Sequence, residues 1–150
     1  METKMKNEME ISFLAIAENE ALARMVISAF LVKTNPTLSV ISEVRTAISE
    51  AVTNAIVHAY GDQNEGRVVM RAWLHADHVL LEVEDYGCGI EDVEQAMKPF
   101  YTSQPEKERT GMGFSLMQSF MDGVQVRSTV GRGTCVTMTK LLNEDEPDIF

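Results

Sequence analysis

Basic residues are scarce in this chain. Thirteen lysines and arginines stand against 23 acids, leaving a formal charge of −10 over 150 residues. So acidic a composition argues against direct nucleic-acid binding, which needs cations facing the phosphate backbone, and against anionic membrane surfaces. It suits a basic protein partner or a metal–nucleotide complex. Cysteine is scarce too. Cys88 in a Gly-rich turn and Cys135 in an expected strand form neither a disulfide framework nor a metal motif. They read as the reduced thiols of a cytoplasmic chain. No apolar run approaches the ~20 residues of a membrane span, and the first residues carry no apolar signal region. The phosphate-loop pattern G-x-x-x-x-G-K-[ST] is missing. The G-x-G at Gly111 and Gly113 is no dinucleotide fingerprint, because Leu116 stands where the third glycine would be. If the chain binds a nucleotide, it does so without a P-loop.

What is present is ordinary for a globular protein: 45% apolar and 24% charged residues. The length implies a single domain, 1–150, with a real core. Ten methionines suit adaptable core or interface filling. Loose alternation predicts a strand over 9–15. Ala21, Leu22, Met25, Val26, Ala29 and Phe30, recurring three and four apart, predict a helix over 18–33, broken by Asn35-Pro36. Ser39 or Ser42 could cap the next helix, running to about Tyr60. Strands are expected at 67–75 and 78–84 around a hairpin turn, and a short helix at 91–97. The stretch 98–110 is polar, holds Pro99 and Pro105, and reads as a mobile loop. A helix at 113–121 and strands at 124–129 and 134–141 follow. Residues 143–150 read as an acidic, disordered tail. Strands joined by short turns give a mixed, mostly antiparallel sheet. Helices on one face then make an α/β two-layer sandwich.

Four short motifs carry the chemistry. Glu50, Asn54 and His58, spaced at four on one expected helix, stack on one face. The apolar set Val44, Ile48, Val52, Ala55 and Ala59 points nearly opposite. Ala47, Ala51 and Ala55 leave room for a ligand beside the polar stripe. A carboxylate there can accept a hydroxyl proton, and an amide oxygen can ligate Mg²⁺. In Asp85-Tyr86-Gly87-Cys88-Gly89 the glycines let a flat ring approach the backbone, and the carboxylate can accept an adenine amine. Thr110-Gly111-Met112-Gly113 leads into a helix whose free amides suit phosphate. Gly131-Arg132-Gly133-Thr134 alone would be a hairpin turn.

In order and spacing, E-x-x-x-N, D-x-G-x-G, a polar loop, G-x-G and G-x-G-T resemble the Bergerat-fold ATPases over about residues 9–141. Ser49-Glu-Ala-Val-Thr-Asn-Ala-Ile-Val-His58, Pro99-Phe-Tyr-Thr102, Arg109-Thr-Gly-Met-Gly-Phe114 and Phe120-Met-Asp122 are similar to the bacterial anti-sigma serine kinases, in particular their sporulation branch. The resemblance implies ATP and Mg²⁺ as ligands. It makes Glu50 the base for a substrate serine, Asn54 the Mg²⁺ ligand and Asp85 the adenine acceptor. Gly87, Gly89 and Thr134 would line the base pocket, and Gly111, Met112 and Gly113 would meet the phosphates. Thr102 to Thr110 would form a lid, both threonines touching nucleotide, with Arg109 a lid cation for phosphate charge. Arg24 would face two partners, a sigma factor and an anti-anti-sigma substrate, on a homodimer. Three alternatives stay open. One is the general-stress branch of the same kinases, and another a non-catalytic ATP-sensing module. The third, a detached histidine-kinase ATP domain, would need a phosphoacceptor helix that this length does not accommodate.

Overall fold

The computed structural model describes residues 4–60, 66–98 and 113–142. Five strands and four helices run in the order β1 (Met5–Leu14), α1 (Glu18–Val32), α2 (Leu38–Asn54), β2 (Arg67–His75), β3 (His78–Asp85), α3 (Val93–Ala96), α4 (Gly113–Phe120), β4 (Gly123–Thr129) and β5 (Gly133–Leu141). The expected elements are all present. Of the expected loop at 98–110 all but Lys98 lies outside the described residues, as does the tail at 143–150. The strands form one sheet of order β1-β2-β3-β5-β4, and the antiparallel pairing extends to all four ladders.

Three local readings need correction. Thr37, not Ser39 or Ser42, caps α2: its Oγ1 accepts from the Val40 amide at 3.1 Å. Thr37 has extended backbone just before the first helical turn, the geometry an N-cap needs. β1 begins four residues before the expected start, at Met5, past a register irregularity between Met5 and Asn7. The helix beginning at Leu38 changes character at Ala55, where a π-helical turn (Ala55–Ala59) replaces the α geometry. The wider turn shifts Ala59 off the core stripe set by Val44, Ile48 and Val52, all fully buried.

Period-two burial places Val68, Met70, Ala72 and Leu74 of β2 on the helix-covered face with Val79, Leu81 and Val83 of β3. α2 lies centrally over this face, between α1 and α4. α1 contributes Ala23, Ile27 and Leu31 at four-residue spacing, and α4 contributes Met117. On the opposite face Arg71 gathers three carboxylates, from Glu10 at 2.6 Å, Glu84 at 2.8 Å and Glu82 at 3.2 Å. These raise its already high pKa further, Glu84 foremost. Among the described residues no helix is long and apolar enough to cross a membrane.

The buried stripe of β5 reads Thr134, Val136, Met138, Lys140, apolar in the middle and polar at each end. At one end Thr134 pairs with Asp85. At the other, Lys140 is 4% exposed and holds two elements at once. Its Nζ donates to the Phe120 carbonyl, the last of α4, at 2.7 Å and to Glu43 of α2 at 3.0 Å. A cation suits a helix C-terminus, where carbonyls lack intrahelical partners. Replacing Lys140 by Met should therefore lower stability by about 2 kcal/mol, because Glu43 is partly hydrated and tolerates the loss better than a fully buried partner. In a chain of this size that is roughly 4–8 °C of melting temperature. An unchanged thermal transition would show that the staple contributes nothing.

Candidate functional site

A cavity of about 1000 Å³ opens where α2, its π turn, α3 and the start of α4 meet the ends of β3 and β5. Val83 and Val136 line it from the sheet, Ala51 and Ala55 from α2, and Phe114 from α4. The small alanines leave the space that the sequence suggested.

Asp85 lies at the sheet end of the cavity, 6% exposed. Its Oδ1 accepts from the Gly87 amide at 3.0 Å and from the Thr134 amide at 3.2 Å. Burial pushes the carboxyl pKa above its ordinary value, and the two amides oppose that rise without cancelling it. Among the described residues no protein donor is seen on Oδ2, so one oxygen is committed to the turn and the other can receive a ligand's donor.

The surrounding glycines are demanded by close backbone approach. A Cβ on Gly133 (φ +128°) would lie 2.1 Å from the Asp85 carbonyl oxygen. One on Gly89 (φ +79°) would lie 2.4 Å from the carbonyl oxygen of Thr129. Gly87 packs against the Ala59 carbonyl, where a Cβ would sit at 2.4 Å, and it is not part of the cavity wall. Gly89 and Thr134 do line the cavity. Ser128 joins these pieces: its Oγ accepts from the Ile90 amide at 2.7 Å and lies 2.8 Å from Thr134 Oγ1.

Glu50 and Asn54 meet α4 at its first residue. A Cβ on Gly113 would stand 3.2 Å from Asn54 Nδ2, 3.3 Å from Asn54 Oδ1 and 3.4 Å from Glu50 Oε2. Gly113 is the position where a helix N-terminus comes against the polar stripe of α2, and any side chain there would crowd both groups. Asn54 and Gly113 line the cavity. The site thus offers a carboxylate that can take a proton, an amide oxygen that can bind a hard cation, and a helix N-terminus whose first amides lack intrahelical acceptors.

The π turn joins the two ends of the site. It presents its last carbonyls sideways, and the Asp85–Gly89 turn uses them: the Cys88 amide donates to Ala59 O at 3.1 Å and its thiol to His58 O at 3.2 Å. His58 and Cys88 both line the cavity. Sequence periodicity had put His58 on the polar stripe, but nothing in the sequence marked the π geometry. The wall from Glu91 to Ala96 was also missed, because α3 carries no chemical motif.

Arg24 stands apart from this cavity. It sits on α1, with Nε 3.1 Å from Glu20 Oε1, and lines a small polar hollow with Ser42, Arg45, Thr46 and Ser49. Thr102, Arg109, Thr110, Gly111 and Met112 lie outside the described residues.

The sequence matches the histidine kinase-like ATPase domain over residues 13–140. It is 51% identical over 138 residues to the anti-sigma F factor of Pasteuria penetrans, covering 91% of this chain and 92% of that protein. It is 46% identical over 140 residues to the anti-sigma F factor of Thermoanaerobacter sp. strain X514, covering 93% and 97%. It is 42% identical over 142 residues to that of Oceanobacillus iheyensis, covering 95% and 97%. The fold resembles the RsbU and RsbW domains of Rv1364c from Mycobacterium tuberculosis, at a TM-score of 0.66 and 21% identity over 91% of this chain and 32% of that one. It also resembles the catalytic domain of the histidine kinase ThkA, at a TM-score of 0.57 and 14% identity over 91% of this chain and 99% of that one. With a family match spanning the whole cavity, and relatives this similar along nearly their full lengths, the chain belongs to the histidine kinase-like ATPase family and, within it, to the anti-sigma F factors.

Proposed function

We propose that this chain is an ATP-dependent protein-serine kinase that restrains a sporulation sigma factor and phosphorylates a serine of its anti-anti-sigma antagonist. The observation that carries the chemistry is the convergence of Glu50 and Asn54 on Gly113 at one end of a cavity whose other end holds buried Asp85. The cavity is large enough for a nucleotide. Asp85 is a desolvated acceptor for an adenine amine, and the absent Cβ of Gly113 leaves phosphate room beside α2. Among the described residues no cluster of three or more His, Cys, Asp or Glu side chains forms a protein-made metal cage. A magnesium ion held by nucleotide oxygens and one amide oxygen, that of Asn54, fits such a site.

Bound ATP–Mg²⁺ supplies the transferable phosphoryl group and the cation that neutralises its charge. The chain's own residues do the rest. Asp85 Oδ2 accepts the adenine amine, with Gly89 and Thr134 beside the base and Gly87 holding Oδ1. Glu50 accepts the proton of the substrate serine hydroxyl, making its oxygen a better nucleophile. The amide of Gly113 at the start of α4, with Gly111 and Met112 before it in the sequence, binds phosphate. Thr102 and Thr110 flank the lid over the nucleotide, and Arg109 brings a cation to the transferring group. Arg24, outside the cavity, belongs to the surface that meets the sigma factor and the anti-anti-sigma protein. The names and 42–51% identity of the relatives support this partner assignment. The active species is a homodimer in the cytoplasm, and a monomer mass by sedimentation in ATP would count against that part.

Two variants separate chemistry from binding. Glu50→Ala should slow phosphoserine formation on a purified anti-anti-sigma protein by about 10²-fold or more, with ATP affinity within about twofold of wild type. Transfer at the wild-type rate would rule Glu50 out as the base. Asp85→Asn keeps an oxygen for the Gly87 and Thr134 amides but removes a buried charge. It should weaken ATP binding by about tenfold or more while raising the melting temperature of the nucleotide-free protein at pH 7. The sign follows from the raised pKa of Asp85. Its contribution to stability is fully present below the ordinary aspartate value and is lost as pH rises through the raised one. The gain in the variant should therefore fade as the melts are moved toward pH 3. A variant no more stable than wild type at pH 7 would show that the carboxylate carries no desolvation cost.

A further inference from the structure

We infer that Tyr60 is a positioning residue for nucleotide selection, because its hydroxyl fixes the peptide unit that follows Asp85. Tyr60 is the first residue after the π turn. Its Oη accepts from the Tyr86 amide at 2.6 Å and donates to the Arg67 carbonyl at 2.7 Å. The Tyr86 amide belongs to the same planar peptide unit as the Asp85 carbonyl. That carbonyl oxygen is pressed against Gly133, where a Cβ would come within 2.1 Å. One face of the unit is thus blocked by the β4–β5 turn, and its opposite end is tied to Tyr60.

A planar unit held at both ends cannot swing about the Asp85 Cα, so the carboxylate beyond it keeps one direction into the cavity. The second Tyr60 bond adds a reference point. Arg67 begins β2, next to Val68, which pairs with Asp85. The hydroxyl therefore ties the tail of α2 to the ends of both strands that frame the acceptor. The ring has no room to move away, since a Cβ on Gly66 would lie 2.4 Å from its Cγ. The side chain of Tyr86 is 58% exposed and takes no part in this, so the residue matters here for its amide.

Selection follows from what each base presents. Adenine offers an amine hydrogen at the ring position where guanine carries a carbonyl oxygen, so for a base seated in the same orientation a well-aimed carboxylate favours adenine and repels guanine. The inference rests on the reading of Asp85 as the adenine acceptor. It predicts that Tyr60→Phe raises the ATP dissociation constant about five- to tenfold and leaves that for GTP unchanged. Both can be measured by displacing a fluorescent ATP analogue from the full chain. A purely structural role would weaken both nucleotides alike or lower only the melting temperature, and an unchanged ATP-to-GTP ratio would overturn the inference. Should Tyr60→Phe fold poorly, Gly66→Ala displaces the ring while keeping the hydroxyl and should shift the ratio in the same direction. Asp85→Asn run in parallel separates the two ideas. If it keeps full ATP affinity, the acceptor reading is wrong. If it loses affinity while Tyr60→Phe keeps the wild-type ratio, the positioning role alone fails.

Discussion

Asp85 is a charge taken out of water at the end of a strand, and the geometry around the cavity is arranged to keep it there. Two amides reach one of its oxygens, one from its own turn and one from β5. For the β5 amide to arrive, the strand has to cross the Asp85 carbonyl at a distance only glycine permits, which is the reason for Gly133. For the other to arrive, the turn has to fold back onto the π-helical carbonyls, which leaves Gly87 no room for a side chain. Burial still raises the carboxyl pKa against these bonds. A site that destabilises its own empty form in this way is built to gain from a ligand that supplies the missing donor.

Much of this was legible in the sequence, and for identifiable reasons. The strands of the sheet alternate cleanly because one face is covered and the other is not, so 67–75 and 78–84 could be read within a residue. α1 was legible as a helix but not in its facing: the expected stripe of Ala21, Leu22, Met25, Val26, Ala29 and Phe30 lies beside the buried one, Ala23, Ile27 and Leu31, and leaves Leu22 and Met25 exposed. Asp85, Asn54, Gly89, Gly113 and Thr134 were singled out because four motifs, each ordinary by itself, follow one another in one order, and the structure places these residues around one cavity. What stayed hidden depends on contacts distant in sequence. A π turn has the same composition as an α turn. The Tyr60 hydroxyl finds its partners at Arg67 and Tyr86, seven and 26 residues on. Lys140 lies within the expected strand 134–141 with nothing to mark it, and its burial follows only once α4 and α2 are seen to close over it. The cap went to Thr37 because its own backbone is still extended where the helix begins, which local preference among Thr and Ser does not decide.

The polar ends of β5 divide the labour of the sheet. At Thr134 the strand presents an amide to the ligand site, and at Lys140 it presents an ammonium to α4 and α2. Because α4 begins at Gly113 and ends at Phe120, one short helix is anchored to the reactive stripe at its start and to a buried cation at its finish. Its eight residues span only about 12 Å, so a disturbance at Lys140 has little helix over which to relax before it reaches Glu50 and Asn54.

The π turn has a further consequence for how sequences of this kind can drift in length. Such a turn is an α-helical segment carrying one additional residue. Removing one position between Ala55 and Ala59 would let the segment close as ordinary helix, and four α-helical residues at about 100° each turn the chain nearly as far as the five of the wider turn. The strand that follows would keep its direction. What the deletion would remove is the wider turn itself, whose carbonyls at His58 and Ala59 hold the thiol and amide of Cys88. The additional residue therefore serves the turn after Asp85 and not the course of the chain beyond it.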